Sequence, residues 1–247
     1  MKQNTILQKG ERSAPQQAMG FPRKVKIMAA FQKSTAMSVK RIVISLLIFF
    51  LIPVIRRLLG GWIENDTLGL MFALNFCAWL LITYDWELFG LHWLRSKENP
   101  GDTMLYTAVG SIVLFLWTWL NNRFLHGLIV MPDPETIRSY LVALPAIFIA
   151  FSFSLSSLVN ICFKCLTDHF KIRLGEATMI LLSGFLFGFI YTVCFCPLQL
   201  TIFIPTYFYN VILICVLSYL YNQTHSFIPG ILAMGIVYFI WQILLLL

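Results

Sequence analysis

Seven apolar stretches, each near the length that crosses a bilayer, constrain this chain more than any motif it carries. They run approximately over Ile42–Leu59, Thr67–Tyr84, Thr103–Leu120, Tyr140–Cys165, Ala177–Phe195, Thr201–Tyr221 and Ser226–Leu247. A spanning helix needs about 20 mostly apolar residues. A water-soluble core has no room for seven such blocks in 247 residues. Charged residues are 12% of the chain, about half the share found in soluble domains. The expected fold class is therefore all-α: a polytopic transmembrane helical bundle of about seven helices. Residues 1–40 read as a basic, flexible N-terminal tail and 41–247 as the membrane domain. Pro53, Pro145, Pro205 and Pro229 fall inside or near the start of four runs, where each marks a kink or a helix start.

Charge sets the expected orientation. Nine of the 18 Lys and Arg residues lie between Lys2 and Arg41, opposed only by Glu11. With the N-terminus in the cytoplasm, fourteen Lys and Arg fall on the inner side and four on the outer, as the positive-inside rule requires. The basic tail then faces anionic lipid headgroups. Charge alone does not make it a nucleic-acid binder. The tail is also acid-poor enough to serve as an organellar transit peptide. A bacterial plasma membrane is the expected location, an organellar membrane the alternative.

The ionisable residues stand away from the helix centres. All eleven acids, from Glu11 to Glu176, lie in the tail, in connections or at helix edges. His92, His126, His169 and His225 do the same. Charge at a helix centre costs roughly 2.5–3.5 kcal/mol on insertion scales and is kept mainly for function. Proton relays and intramembrane metal sites need such groups, so no cofactor and no metal are expected. The six cysteines sit in or beside apolar runs, which argues against a disulfide framework. Cys162-x-x-Cys165 and Cys194-x-Cys196 are placed at opposite ends of a helix pair, too far apart to share a metal.

Two segments carry a family likeness. Met179–Thr192 (MILLSGFLFGFIYT) and Leu217–Phe239 (LSYLYNQTHSFIPGILAMGIVYF) resemble two core segments of the CPBP family, the CAAX-protease and bacteriocin-processing membrane proteins. The likeness covers about a third of the chain, and the CPBP-like core falls at about 140–240. The resemblance implies an intramembrane metalloprotease whose signature is a Glu-Glu-x-x-x-Arg motif, a Phe-x-x-x-His motif and a His-x-x-x-Asn or Asp motif, with two histidines and a glutamate holding the metal and another carboxylate activating water. Here the first aligns with Ser156 and Ser157, and Ile161 stands at the arginine. The second keeps Phe187 but places Tyr191 at the histidine. The third has Met234 and Tyr238 in place of histidine and asparagine. Tyrosine, methionine and serine are poor substitutes for these zinc ligands. The resemblance thus implies a pseudoprotease without catalytic residues: a scaffold, assembly factor or regulator with a membrane-protein partner. Two alternatives stay open: an intramembrane CAAX-type metalloprotease with its essential residues elsewhere, and a transporter or channel subunit. Gly184-x-x-x-Gly188 is expected to serve packing within the bundle rather than dimerisation.

Overall fold

The computed structural model describes residues 39–60, 65–141, 145–170, 175–245 and 247, without the side chains of 60, 141 and 165–170. Most of the basic tail, Trp62, Glu64, Lys171 and Arg173 lie outside the described residues, as do the side chains of Cys165, Asp168 and His169. Among the described residues the chain forms nine α-helices and no strand. They are α1 (Val39–Gly60), α2 (Asp66–Tyr84), α3 (Trp86–Glu98), α4 (Pro100–Leu120), α5 (Pro134–Leu141), α6 (Pro145–Phe170), α7 (Glu176–Phe195), α8 (Leu200–Thr224) and α9 (Ile228–Leu244). Six of these (α1, α2, α4, α6, α7 and α8) are long and apolar enough to cross a membrane, α4 together with the π turn that follows it. The apolar α9 has 17 residues, the short limit for a span. The protein is an all-α polytopic bundle.

Local chemistry sets the helix boundaries. Asn65 caps α2, its side-chain oxygen accepting from Thr67 N at 3.0 Å and Leu68 N at 3.2 Å, which satisfies donors the first turn leaves open. Pro100 opens α4 and Pro229 stands in the first turn of α9, where a missing N–H costs nothing. Asp133 caps α5 by accepting from Thr136 N at 3.0 Å. Beyond Leu120 the fourth helix widens into a π turn, Asn121–Leu125, closed by His126 in the left-handed region at φ 54°. His225 ends α8 in the same way at φ 49°. Pro53 and Pro205 lie inside α1 and α8.

The segment between Asp85 and Asp102, read from sequence as a connection, is helical over α3. Leu88, His92 and Ser96 recur every fourth residue and are buried, while Trp86, Trp93 and Leu94 are exposed. That is a one-sided helix lying across one end of the bundle. The connection after Leu125 likewise contains the short helix α5.

α6 is the hub. It packs against α1, α2, α7, α8 and α9, and 67% of its spanning stretch is buried against 17% for α1 and for α4. α7 and α8 form the most extensive pair, and α9 runs between α4 and α6. The outward surface carries Phe72, Phe76, Trp79, Ile112, Leu116, Phe189 and Phe208. A continuous apolar surface of that kind suits lipid and not water.

Candidate functional site

α6 and α9 place the motif positions. Gln242 Nε2 donates to Ser152 Oγ at 2.6 Å. Two turns along α6, Asn160 fills the space over Gly230, where an added Cβ would lie 2.1 Å from Asn160 Oδ1. The helices therefore run antiparallel, with 152 opposite 242 and 160 opposite 230. Ser156 falls midway, level with the turn that carries Met234 and Tyr238. Ser156 Oγ donates to the Ser152 carbonyl at 2.6 Å, and Asn160 Nδ2 to the Ser156 carbonyl at 2.8 Å. These bonds stay within α6, so the polar stripe is mostly satisfied by its own helix. Ser157 is also buried.

Tyr191 on α7, Tyr209 on α8 and Tyr238 on α9 are fully buried, and their hydroxyls face one another. Tyr209 Oη shares a hydrogen bond with Thr118 Oγ1 at 3.1 Å. Among the described residues the hydroxyls of Tyr191 and Tyr238 complete no hydrogen bond of good geometry. Phe49 packs beside them, its ring 5.4 Å from that of Phe187 and 6.2 Å from that of Tyr191. Asn210 Nδ2 donates to Thr192 Oγ1 at 3.0 Å, while Asn210 Oδ1 and Gln242 Oε1 find no hydrogen-bond partner among the described residues. Three phenols, two amides and several hydroxyls thus fill the centre. Among the described residues, no three His, Cys, Asp or Glu side chains come together as a metal site. Tyr191 and Tyr238 meet in the core, and Met234 is buried on the same helix face as Tyr238.

A second polar cluster, at the end of the bundle where α1 begins, was not legible in the sequence. Asp85 is buried between α2 and α3, with Arg41 Nε at 3.4 Å from Oδ1 and Ser45 Oγ donating to Oδ2 at 3.3 Å. Arg41 also reaches Glu87 at 3.6 Å. Lys164 on α6 is fully buried, its Nζ 5.8 Å from the centre of the Tyr221 ring. His92 is fully buried too, 4.3 Å from the Phe227 ring. The His225 carbonyl lies near its ring, yet among the described residues neither ring nitrogen completes a hydrogen bond of good geometry. Arg95 donates to the His225 carbonyl at 2.9 Å, and Ser96 bonds Ser226 at 3.0 Å. Burial raises the Asp85 carboxyl above its usual range, outweighing Arg41, Ser45 and Lys164. Burial also pushes His92 down to about 2, helped by the nearby cations Lys164 and Arg95. This imidazole stays neutral at physiological pH.

The sequence places the ionisable residues away from the helix centres, yet at this end the structure buries Asp85, His92 and Lys164. The available signal was the i, i+4, i+8 recurrence of Leu88, His92 and Ser96, which marks a buried helix face.

The cysteine pairs lie apart. Cys162 Sγ donates to the Ser45 carbonyl at 3.5 Å, beside the buried ionic cluster, whereas Cys194 and Cys196 lie at the far end of α7. Gly184 and Gly188 pack against α8 of the same chain, at Cys215 and Val211.

Comparison with protein-family models, with curated proteins and with solved structures finds no match to this chain.

Proposed function

We propose that this protein is a non-catalytic member of the CPBP type that works by contact, as a scaffold, assembly factor or regulator of a partner membrane protein. One observation carries the reading. The positions at which the resemblance would put metal ligands hold side chains that pack on protein: Tyr191 and Tyr238 meet in the buried core beside Tyr209. Phenols so placed fill space and bring no general base or metal ligand at neutral pH. The N-terminus is cytoplasmic in this reading, on the strength of the Lys and Arg distribution, and the host is a bacterial plasma membrane. The basic tail contributes attraction to anionic headgroups.

The test is photo-crosslinking in native membranes from probes on the lipid-facing residues Ile112 and Phe208, followed by co-purification. One recurring membrane-protein partner in stoichiometric amount is expected. In parallel, the purified protein is assayed for bound zinc and for cleavage of a CAAX peptide. Stoichiometric zinc with metal-dependent cleavage would make it a protease and end the contact reading, as would the lack of any recurring partner.

A further inference from the structure

At the end of the bundle away from Asp85, a groove of about 1000 Å³ opens between α1, the segment 128–131 and the end of α7 with the turn after it. Its α1 wall has a regular composition. Phe50, Val54 and Arg57 follow one another at i, i+4 and i+7, so they form one stripe down a single helix face. Phe50 and Val54 are exposed to the groove, and Val193 of α7 faces them across it. Arg57 stands one turn further on, where α1 reaches its end. The stripe is apolar over about one turn and cationic in the next, at the terminus of the spanning helix, which is the profile of an amphiphile lying parallel to the helix with its head at the membrane surface.

The electrostatics name the head. Arg56 is engaged, its Nε donating to Asp66 Oδ1 at 3.0 Å and its Nη2 bonding the other carboxylate oxygen. Arg57 makes no ion pair or hydrogen bond among the described residues and is exposed. Asp66 neutralises one of the two guanidinium groups that line the groove, so the described lining keeps one positive charge. A guanidinium presents paired donors that match phosphate oxygens. The apolar side chains of Phe50, Val54 and Val193 have nothing to offer a free anion, which would leave them bare.

We propose that the groove holds one anionic phospholipid, its phosphate on Arg57 and an acyl chain along Phe50, Val54 and Val193. This site is independent of the contact function proposed above and lies at the end opposite to the one where α1 begins.

The experiment uses the full chain, purified in neutral detergent and stripped of lipid, with binding read by native mass spectrometry. Phosphatidylglycerol and phosphatidylcholine are titrated separately. Both lipids carry the phosphate, but in phosphatidylcholine a choline cation sits beside it and is repelled by Arg57, so the first phosphatidylglycerol should bind about tenfold more tightly. Arg57→Gln should erase that difference. Val54→Trp, which fills the groove at an exposed position, should weaken both lipids. Arg123→Gln, an exposed arginine outside the groove, should change neither. Equal affinity for the two lipids, or selectivity that survives Arg57→Gln, would overturn the proposal. So would displacement of the lipid by inorganic phosphate, or crosslinking of a co-purifying polypeptide in place of lipid to Val54→Cys.

Discussion

At the scale of single residues, the unusual feature is how many buried polar groups remain without partners. Each such group costs about 1–3 kcal/mol relative to a bonded one. Tyr191 and Tyr238 keep orphan hydroxyls while Tyr209 has Thr118. Tyr191→Phe and Tyr238→Phe should therefore leave thermal stability in detergent unchanged or raise it by about 1 kcal/mol, whereas Tyr209→Phe should lower it by a similar amount. Equal losses from all three would mean that the first two hydroxyls are bonded after all. His92 supplies a pH dependence. Its ordinary value is 6.5 and burial takes it to about 2. Below pH 6.5 the unfolded chain gains a proton that the folded chain refuses. Stability should fall with pH by up to about 1.4 kcal/mol per unit through this residue. Unfolding curves between pH 7.5 and 5 should show the wild type losing ground to His92→Leu as the pH drops. Parallel curves would contradict the buried neutral imidazole. The raised Asp85 carboxyl acts with the opposite sign, but it is common to both proteins and cancels in the comparison.

At the scale of helices, two glycines on α7 explain why it pairs so extensively with α8. A Cβ at Gly188 would lie 3.0 Å from Val211 N and 3.1 Å from Val211 Cα, and backbone cannot step aside as a side chain can. Gly188→Ala should destabilise the bundle by about 1–3 kcal/mol through overpacking. Gly90, on α3, has nothing within 4 Å of the same built atom. There Gly90→Ala should stabilise by roughly 0.5–1 kcal/mol, because it removes backbone freedom from a helix at no steric cost. Thermal unfolding of the pair in one detergent separates a packed helix interface from an open one. α3 itself shows how an element escapes a span-based reading. Its apolar residues are too few for a membrane segment, and its stability comes from one face docked on the turn at His225–Phe227 through Arg95, Ser96 and His92.

At the scale of the whole molecule, the two ends of the bundle carry different chemistry. One end gathers Arg41, Asp85, His92, Lys164 and the His225 turn; the other gathers Arg56, Arg57, Asp66 and the Thr67–Asp133–Thr136 contacts. Three candidate spans, α4, α6 and α7, separate positions 97 and 198, an odd number that puts the two on opposite sides. In a cysteine-free background, Leu198→Cys should react with an impermeant maleimide in intact cells, and Lys97→Cys only after permeabilisation. Both sites are exposed, so burial does not confuse the result. Reversed labelling would invert the orientation proposed here, and labelling of both from one side would break the alternation of helices.

The apolar runs alone determined that this chain is a helical membrane bundle and where its long helices begin and end to within several residues. Those properties follow from local composition, because a bilayer rewards length and hydropathy wherever the neighbours stand. Which polar residues meet was decided only by tertiary packing. Asp85, His92 and Lys164 are separated by many residues and each looked like a solvated end; the docking of α3 across the helix ends withdraws all three from water. The meeting of Tyr191 with Tyr238, and the groove that leaves Arg57 beside an apolar wall, likewise depend on how far apart three helices stand, a distance that no periodicity within one helix encodes.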